Sequence, residues 1–484
     1  HCDVTEHLKA GENEVAVLLE NRPQSSRWYP GAGLYRKVRH IMLPKVHIPV
    51  WGTYVTTPYV GEDYATVNVK TKVEGVENGT AVTLVTEIIA HDSGKMLARS
   101  IDTQPIFNGE LEQNITVENP QLWSPENPFL YDFVLELSKG AEVSDTVKGY
   151  FGMRKFSMVK DSKGILRLAL NNEPYFQRLV LDQGFYPDGI WTAPSDAALK
   201  QDIELSLQAG FNGARLHQKV FEERFHYWAD KLGYLTWGEA PSWGFDANNV
   251  ESARNFIAEW RNVVVRDMNH PSIVTWTPFN EQFWPDETQF PRFQADIYTI
   301  TKQLDPSRPI NTVSGGVQTM TDIWTEHHYE QDPEKLRQIV FNDGKMFTRA
   351  PQIQARPRGN IGYNRGVLNS PYTFPVYNGE IPYILDEFGG IKCMEANPAE
   401  GDAWGYGDAA KTKEDFYKRL EAQVRVLIEM SDKMWGYCYT QLTDVMQEQN
   451  GVYYYDRGVK YDMERVRKIF QMPLPSEKAP AEKK

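Results

Sequence analysis

Residues 272–281 read SIVTWTPFNE, an apolar and β-branched run that stops on an amide and an acid, Asn280 and Glu281. Such a run is the buried strand of a parallel sheet when helical segments flank it on both sides. Upstream, ESARNFIAEWRNVVVRDMNH (251–270) spaces its apolar residues as a helix does, and PRFQADIYTITKQLD (291–305) does so downstream. The alternation continues in both directions. YFQRLVL (175–181), NGARLH (212–217), YLTWGE (234–239), PINTVS (309–314), DIWTEHHY (322–329), YILDEFGG (383–390) and MWGYCYT (434–440) read as strands. SDAALKQDIELSLQAG (195–210), EERFHYWADKLG (222–233) and TKEDFYKRLEAQVRVLIEM (412–430) read as helices, the first with Ser195 as N-cap and Gly210 as its stop. Repeated β-then-α units over residues 156–474 predict a (β/α)8 barrel rather than an open sheet. No glycine-rich phosphate fingerprint follows any strand, which argues against a dinucleotide-binding sheet.

The segment before the barrel has another rhythm. DYATVNVKTKVEG (63–75), TAVTLVTEIIAH (80–91), ELEQNITVENP (110–120) and LYDFVLELSKG (130–140) alternate apolar and polar residues between Gly, Asn and Asp turns. That pattern predicts an immunoglobulin-like β-sandwich over residues 46–155. In residues 1–45, Val15, Val17 and Leu19 alternate on one face and RWYPGAGLYRKVRHIML (27–43) leads into a second expected strand. Too few strands to bury a core, they read as the C-terminal strands of a larger β domain whose front is missing. The opening on His1 fits a processed or truncated chain. Residues 475–484 read as a charged, disordered tail.

At 484 residues the chain is long enough for two or three domains, with 41% hydrophobic and 24% charged residues, as in ordinary globular proteins. A net charge of −13 argues against a nucleic-acid partner. The cysteines, Cys2, Cys393 and Cys438, lie far apart and without metal spacing, so neither a disulfide framework nor a metal site is expected from them. No apolar run reaches the roughly 18 residues of a membrane span. Aromatic content is high at 12%, and flat aromatic faces suit sugar rings. The compartment and the oligomeric state, a homo-oligomer included, stay open.

Barrel enzymes place their chemistry where strands end in loops at the C-terminal mouth. Glu281 ends the fourth strand and Glu387 the seventh, with Gly389 and Gly390 behind it. Two carboxyl groups facing one another across a barrel mouth are what glycosidic bond cleavage needs. One protonates the leaving oxygen, and the other attacks or assists at the anomeric carbon. Asn280 is positioned for a hydrogen bond to the sugar's 2-hydroxyl.

With those residues in view, the chain resembles glycoside hydrolase family 2, the family of β-galactosidases, β-glucuronidases and β-mannosidases. The stretches that carry the resemblance are DVTEHLKAGENEVAV and WYPGAGLYRKV, from the end of a jelly-roll sugar-binding domain, PQLWSPENPFLY from the immunoglobulin-like domain, and NHPSIVTWTPFNE and PYILDEFGG from a TIM barrel. The resemblance implies a retaining exo-β-glycosidase with Glu281 as acid/base and Glu387 as nucleophile. Retention goes with a carboxyl separation of roughly 5–5.5 Å. It also implies that Arg215 and His217 support nucleophile and sugar, that His328 and Tyr329 flank the nucleophile, and that Trp435 is a platform under the sugar. Trp237 and Glu239 are expected to line the pocket.

Departures bear on the substrate. Asp182 and Gln183 stand where the family commonly has another polar pair, so sugar recognition at the first strand is expected to differ. No Asn-x-Lys pair follows the eighth strand, where QEQNGVYYYDRG (447–458) stands, which argues against a glucuronidase. WGEAPSWG (237–244) lacks the ligands of a magnesium site, and neither a metal nor another cofactor is implied. A β-galactoside is the first expectation. A β-mannosidase, a β-glucuronidase or another pyranosidase of the family is the alternative, and outside the enzymes a catalytically silent sugar-binding protein.

Overall fold

A computed structural model describes residues 2–19, 33–282, 289–316, 318–342, 345–346, 377, 379–398 and 402–476. Seven strands between Thr53 and Phe151 form two antiparallel sheets, three strands in one and four in the other. In Glu110–Glu118 every second residue is buried, from Leu111 through Gln113 and Ile115 to Val117. This is the pleat of a strand with one face on the core and one in water. Val67, Leu84, Leu135 and Leu137, fully shielded, fill the space between the sheets.

The barrel strands follow in parallel. The first is Gln177–Asp182, the second Gly213–Leu216, the third Leu235–Glu239 and the fourth Ile273–Thr277. The sixth is Trp324–His328, the seventh Tyr383–Gly389 and the eighth Gly436–Thr440. They run in the order 4-3-2-1-8-7-6, curled so that the first strand pairs with both the second and the eighth. The fifth, Val313–Ser314, pairs with Phe279–Asn280, a two-residue continuation of the fourth strand beyond Pro278. Side chains bridge the seam between fifth and sixth: Asn311 Nδ2 donates to Thr325 Oγ1 at 3.0 Å and to the Ile323 carbonyl at 3.1 Å. The first helix, Asp196–Ala209, begins at Ser195, whose hydroxyl accepts from the Ala198 amide at 3.1 Å. It ends at Gly210 in the left-handed conformation, φ 102°. No described helix is long and apolar enough to cross a membrane.

The strands expected within residues 1–45 are not there among the described residues. The segment has one 3-10 turn, Thr5–His7, and Val15, Val17 and Leu19 are exposed. Alternation gives a strand its faces, but a strand exists only in a ladder, and among the described residues no partner strand pairs with Val15, Val17 and Leu19; residues 20–32, with the start of the second expected strand, lie outside the described residues. Residues 477–484 of the expected tail lie outside the described residues.

The sandwich is fastened to the N-terminal end of the barrel, opposite the mouth. Arg154, buried where the sandwich hands over to the barrel, donates from Nε to the Pro271 carbonyl at 3.0 Å and from Nη2 to that of Ile273 at 2.9 Å. Asn269 pairs with the sandwich backbone at Val55 N and Thr53 O, at 2.9 and 2.8 Å. Trp123 Nε1 donates to the Asp230 carbonyl at 2.8 Å. Replacing Arg154 with Met keeps the bulk and removes the donors at both carbonyls. The urea midpoint is expected to fall, equivalent to about 2 kcal/mol. An unchanged midpoint would mean that this junction carries no stability.

Candidate active site

Arg215 lies at the end of the second strand with its guanidinium fully buried. A buried charge persists only with counter-charges in contact. Nη1 donates to Glu239 Oε2 at 2.7 Å and to Asn280 Oδ1 at 3.2 Å, and Nη2 donates to Glu387. Burial opposes the charge, yet Glu239, Glu387 and Asp386 hold Arg215 well above its ordinary range. Glu239 is shared: its Oε1 accepts from the Gln218 amide at 2.9 Å and lies 3.0 Å from His217 Nδ1.

Glu281 follows the short Phe279–Asn280 strand in the left-handed region, φ 48°, a conformation that costs a non-glycine residue energy and that clusters at functional sites. Its amide donates to the Ser314 carbonyl at 2.9 Å, which fixes the turn. Its side chain is 28% exposed, against 6% for Glu387. Glu387 receives Arg215 on one oxygen and the Tyr329 hydroxyl on the other.

His327 joins the two acids. Its Nδ1 lies 2.9 Å from Glu281 Oε1 and 3.3 Å from Glu387 Oε2, and its Nε2 lies 2.9 Å from Ser314 Oγ and 3.3 Å from Asp386 Oδ1. Ser314 donates its own proton to Asp386 Oδ2 at 2.6 Å, so its oxygen is left to accept from Nε2. With acceptors at both nitrogens the ring is an imidazolium. Burial pushes its pKa down, but Glu387 and Asp386, aided by hydrogen bonds to Asp386 and Glu281, carry it up to about 10. One oxygen of each glutamate and one His327 nitrogen all lie within 4.8 Å of one another, close enough to share a metal ion. A cation there would first have to displace the proton on His327.

The structure thus brings Glu281, Glu387, Asn280, Arg215, His217 and Tyr329 to one mouth, and treats the other expected residues differently. His328 points to the opposite face, 3.8 Å from Glu326, because neighbouring residues of a strand alternate. The inward positions of EHHY are His327 and Tyr329, so the sequence reading named the wrong histidine. The two-residue period through Tyr329 would have found the right one. Trp435 starts the eighth strand at the wrong end for the mouth. It stacks on Arg167 at 4.1 Å and donates to the Leu168 carbonyl at 2.9 Å. Five residues of strand, roughly 17 Å, separate it from Thr440, which reaches Tyr329 at 3.2 Å. Trp237 is likewise core, bonded to Gln177 at 2.8 Å. Asp182 turns back to the Gly184 amide at 2.8 Å and is raised to about 7 by burial and by Asp202. Gln183 donates to Gln441 Oε1 at 2.7 Å and lies 3.3 Å from Glu448 Oε2. Sequence reasoning also passes over Ser314, Gln441 and Glu448, which stand in no recognisable motif, and Asp386, which stands in PYILDEFGG but beside the more conspicuous Glu387.

Residues 46–154 match the profile of glycosyl hydrolases family 2, and residues 193–381 match the TIM barrel domain of the same family; the two together span more than half of the chain. The chain belongs to glycoside hydrolase family 2. Among curated relatives of the family, the beta-galactosidase BoGH2A of Bacteroides ovatus is 27% identical over 296 residues, covering 59% of this chain and 34% of the relative. The beta-galactosidase of Leuconostoc mesenteroides is 28% identical over 363 residues, covering 70% of this chain and 33% of the relative. The chain therefore spans about a third of the length of these curated relatives. Two solved structures share the fold. A family 2 member from Bacteroides cellulosilyticus superposes with a TM-score of 0.67 at 20% identity, over 93% of this chain and 54% of that one. A Bacteroides uniformis beta-glucuronidase does so with 0.67 at 20%, over 89% and 52%.

The His327 charge makes a prediction about stability. Its pKa is about 10 in the folded protein against 6.5 for an ordinary histidine, so its contribution is complete below about pH 6.5 and is lost as pH rises through about 10. In calorimetry from pH 7 to pH 10, His327→Asn is expected to flatten the fall in melting temperature seen for the native chain. Parallel slopes would remove His327 as a source of that fall.

Proposed function

We propose that this family 2 chain is a retaining exo-β-glycosidase, with Glu387 as nucleophile and Glu281 as acid/base. The observation that carries the reading is the approach of the two carboxyl groups, with oxygens within 4.8 Å. That spacing supports direct attack, because an inverting pair is held roughly 6.5–9.5 Å apart to admit a water between them. The division of roles follows from surroundings. Glu387 is sheltered, and Arg215 and Tyr329 aim and hold its carboxylate for attack at the anomeric carbon. Glu281 is the more exposed acid, placed to protonate the departing oxygen and then to activate water. His327, hydrogen-bonded to Glu281, holds that carboxyl in place while it gives up its proton and later takes one back from the attacking water. The Asn280 amide is fixed by Arg215 through its oxygen, and its buried Nδ2 has no partner among the described residues. A sugar 2-hydroxyl is the group that would satisfy it.

A terminal β-galactoside is the favoured substrate. It is the substrate in the names of both relatives above. The segment after the eighth strand also offers Gln441, Glu448 and Asn450, bonded among themselves, where a uronate would call for cations.

Nitrophenyl β-glycosides of galactose, glucose, mannose, glucuronic acid and arabinose test the reading, with product anomers followed by NMR. The galactoside is expected to be cleaved best and to release the β-anomer first. Glu387→Gln is expected to abolish cleavage of every substrate. Glu281→Gln is expected to lose roughly 10²–10⁴-fold with poor leaving groups and far less with dinitrophenyl, which departs without a proton. First release of the α-anomer, or full activity in Glu387→Gln, would refute the mechanism. Asn280→Ala is expected to cost the 2-hydroxy substrate about 1–3 kcal/mol in kcat/KM while leaving the 2-deoxy analogue nearly unaffected. Equal losses on both would take the 2-hydroxyl away from Asn280.

A further inference from the structure

AWGYG, residues 403–407, interleaves two large rings with glycines on the segment after the seventh strand. Tyr406 stacks on Tyr329, ring centres 3.4 Å apart and planes 3° from parallel. Tyr329 in turn donates to Glu387. Trp404 stands edge-on to Tyr406, centres 5.5 Å apart at 84°. A short series of contacts therefore leads from Glu387 to an indole.

The segment is held by its backbone at both rings. The Trp404 amide donates to the Gln447 carbonyl at 2.7 Å, and its own carbonyl accepts from the Gln449 amide at 2.8 Å. Trp404 thus pairs with Glu448, whose carboxylate meets Gln183 at the first strand. The Tyr406 amide donates to the Gly390 carbonyl at 2.8 Å. Gly390 is left-handed, φ 61°, and a Cβ there would lie 2.4 Å from the Tyr406 ring and 3.2 Å from that of Tyr329. The glycine after the seventh strand exists to admit this stack. Both rings remain partly exposed. A partly exposed tryptophan, held by its backbone and standing two ring contacts from Glu387, has the character of a binding wall, an apolar face with polar groups converging near it.

We propose that Trp404 is the surface on which the reacting sugar ring lies, with Tyr406 and Gly390 fixing its position. This rests on the glycosidase reading and names the residue that grips the sugar. The C–H face of a pyranose would lie against the indole while its hydroxyls meet the amides and carboxylates of the mouth. Trp404 takes no part in bond making, so its loss acts on affinity.

The test separates affinity from chemistry. Methyl β-glycosides of galactose, glucose, mannose, glucuronic acid and arabinose are titrated into Glu387→Gln, with and without Trp404→Ala, by ligand-observed NMR. The same Trp404 change in the otherwise native chain is assayed on nitrophenyl glycosides. Expected are a Kd and a KM each raised about tenfold, a kcat within about threefold, and substantial recovery in Trp404→Phe. A folded Trp404→Ala, checked by its melting temperature, that binds within twofold of its parent overturns the wall and leaves the hydrolase reading standing. So does a fall in kcat with Kd unchanged, which would reduce Trp404 to a brace for Tyr329. Sugar binding that Trp404→Ala destroys, in a native chain that cleaves no glycoside, keeps the wall and overturns the hydrolase reading. Failure of every methyl glycoside to bind overturns the wall.

Discussion

The buried guanidinium of Arg215 is the constraint on which the mouth depends. Taking a charge out of water is costly, and the cost is met only if several acceptors converge on it. Glu239, Asn280 and Glu387 come from the ends of three different strands to do so. Each is thereby aimed: Glu387 toward the cleft, Asn280 with its amide nitrogen turned away from Arg215, Glu239 back toward His217 and the Gln218 amide. Charge satisfaction in the interior and orientation for chemistry are one set of contacts. Across the mouth His327 repeats the logic, a second buried cation placed among Glu281, Asp386 and Glu387.

The stretch from Asn269 to Glu281 has two tasks at its two ends. Asn269 and Pro271 join the sandwich through Thr53, Val55 and Arg154. Ile273–Thr277 then crosses the barrel wall, and Asn280 and Glu281 emerge at the mouth. Sandwich and active site are thus connected through a single strand. Anchoring one end limits how far the other can shift, and glycosidic chemistry tolerates little displacement of its acid.

Much of this was legible beforehand. The alternation of strands and helices gave the barrel, because buried parallel strands must be continuously apolar and their helices amphipathic. Glu281 and Glu387 were legible because each ends such a run. The failures share one cause. Residue type read without its direction or its depth along the strand favours His328 over His327 and makes Trp435 a platform. Among the described residues of 1–45 the expected strands are absent for a related reason, since pattern describes a strand's faces and not the ladder a strand needs.

By itself, then, the sequence determined the alternation of strands and helices in the barrel, the family, and the placing of Glu281 and Glu387 at the ends of apolar runs, all properties of local pattern along the chain. Only the tertiary structure decided which neighbours those acids have. Arg215 and Glu387 are 172 residues apart in the chain, Glu281 and His327 are 46 apart, and Trp404 is linked to Glu387 by way of Tyr406 and Tyr329. Such contacts arise where strand curvature and loop closure bring chain ends together, and their strength comes from burial, which no single segment possesses on its own.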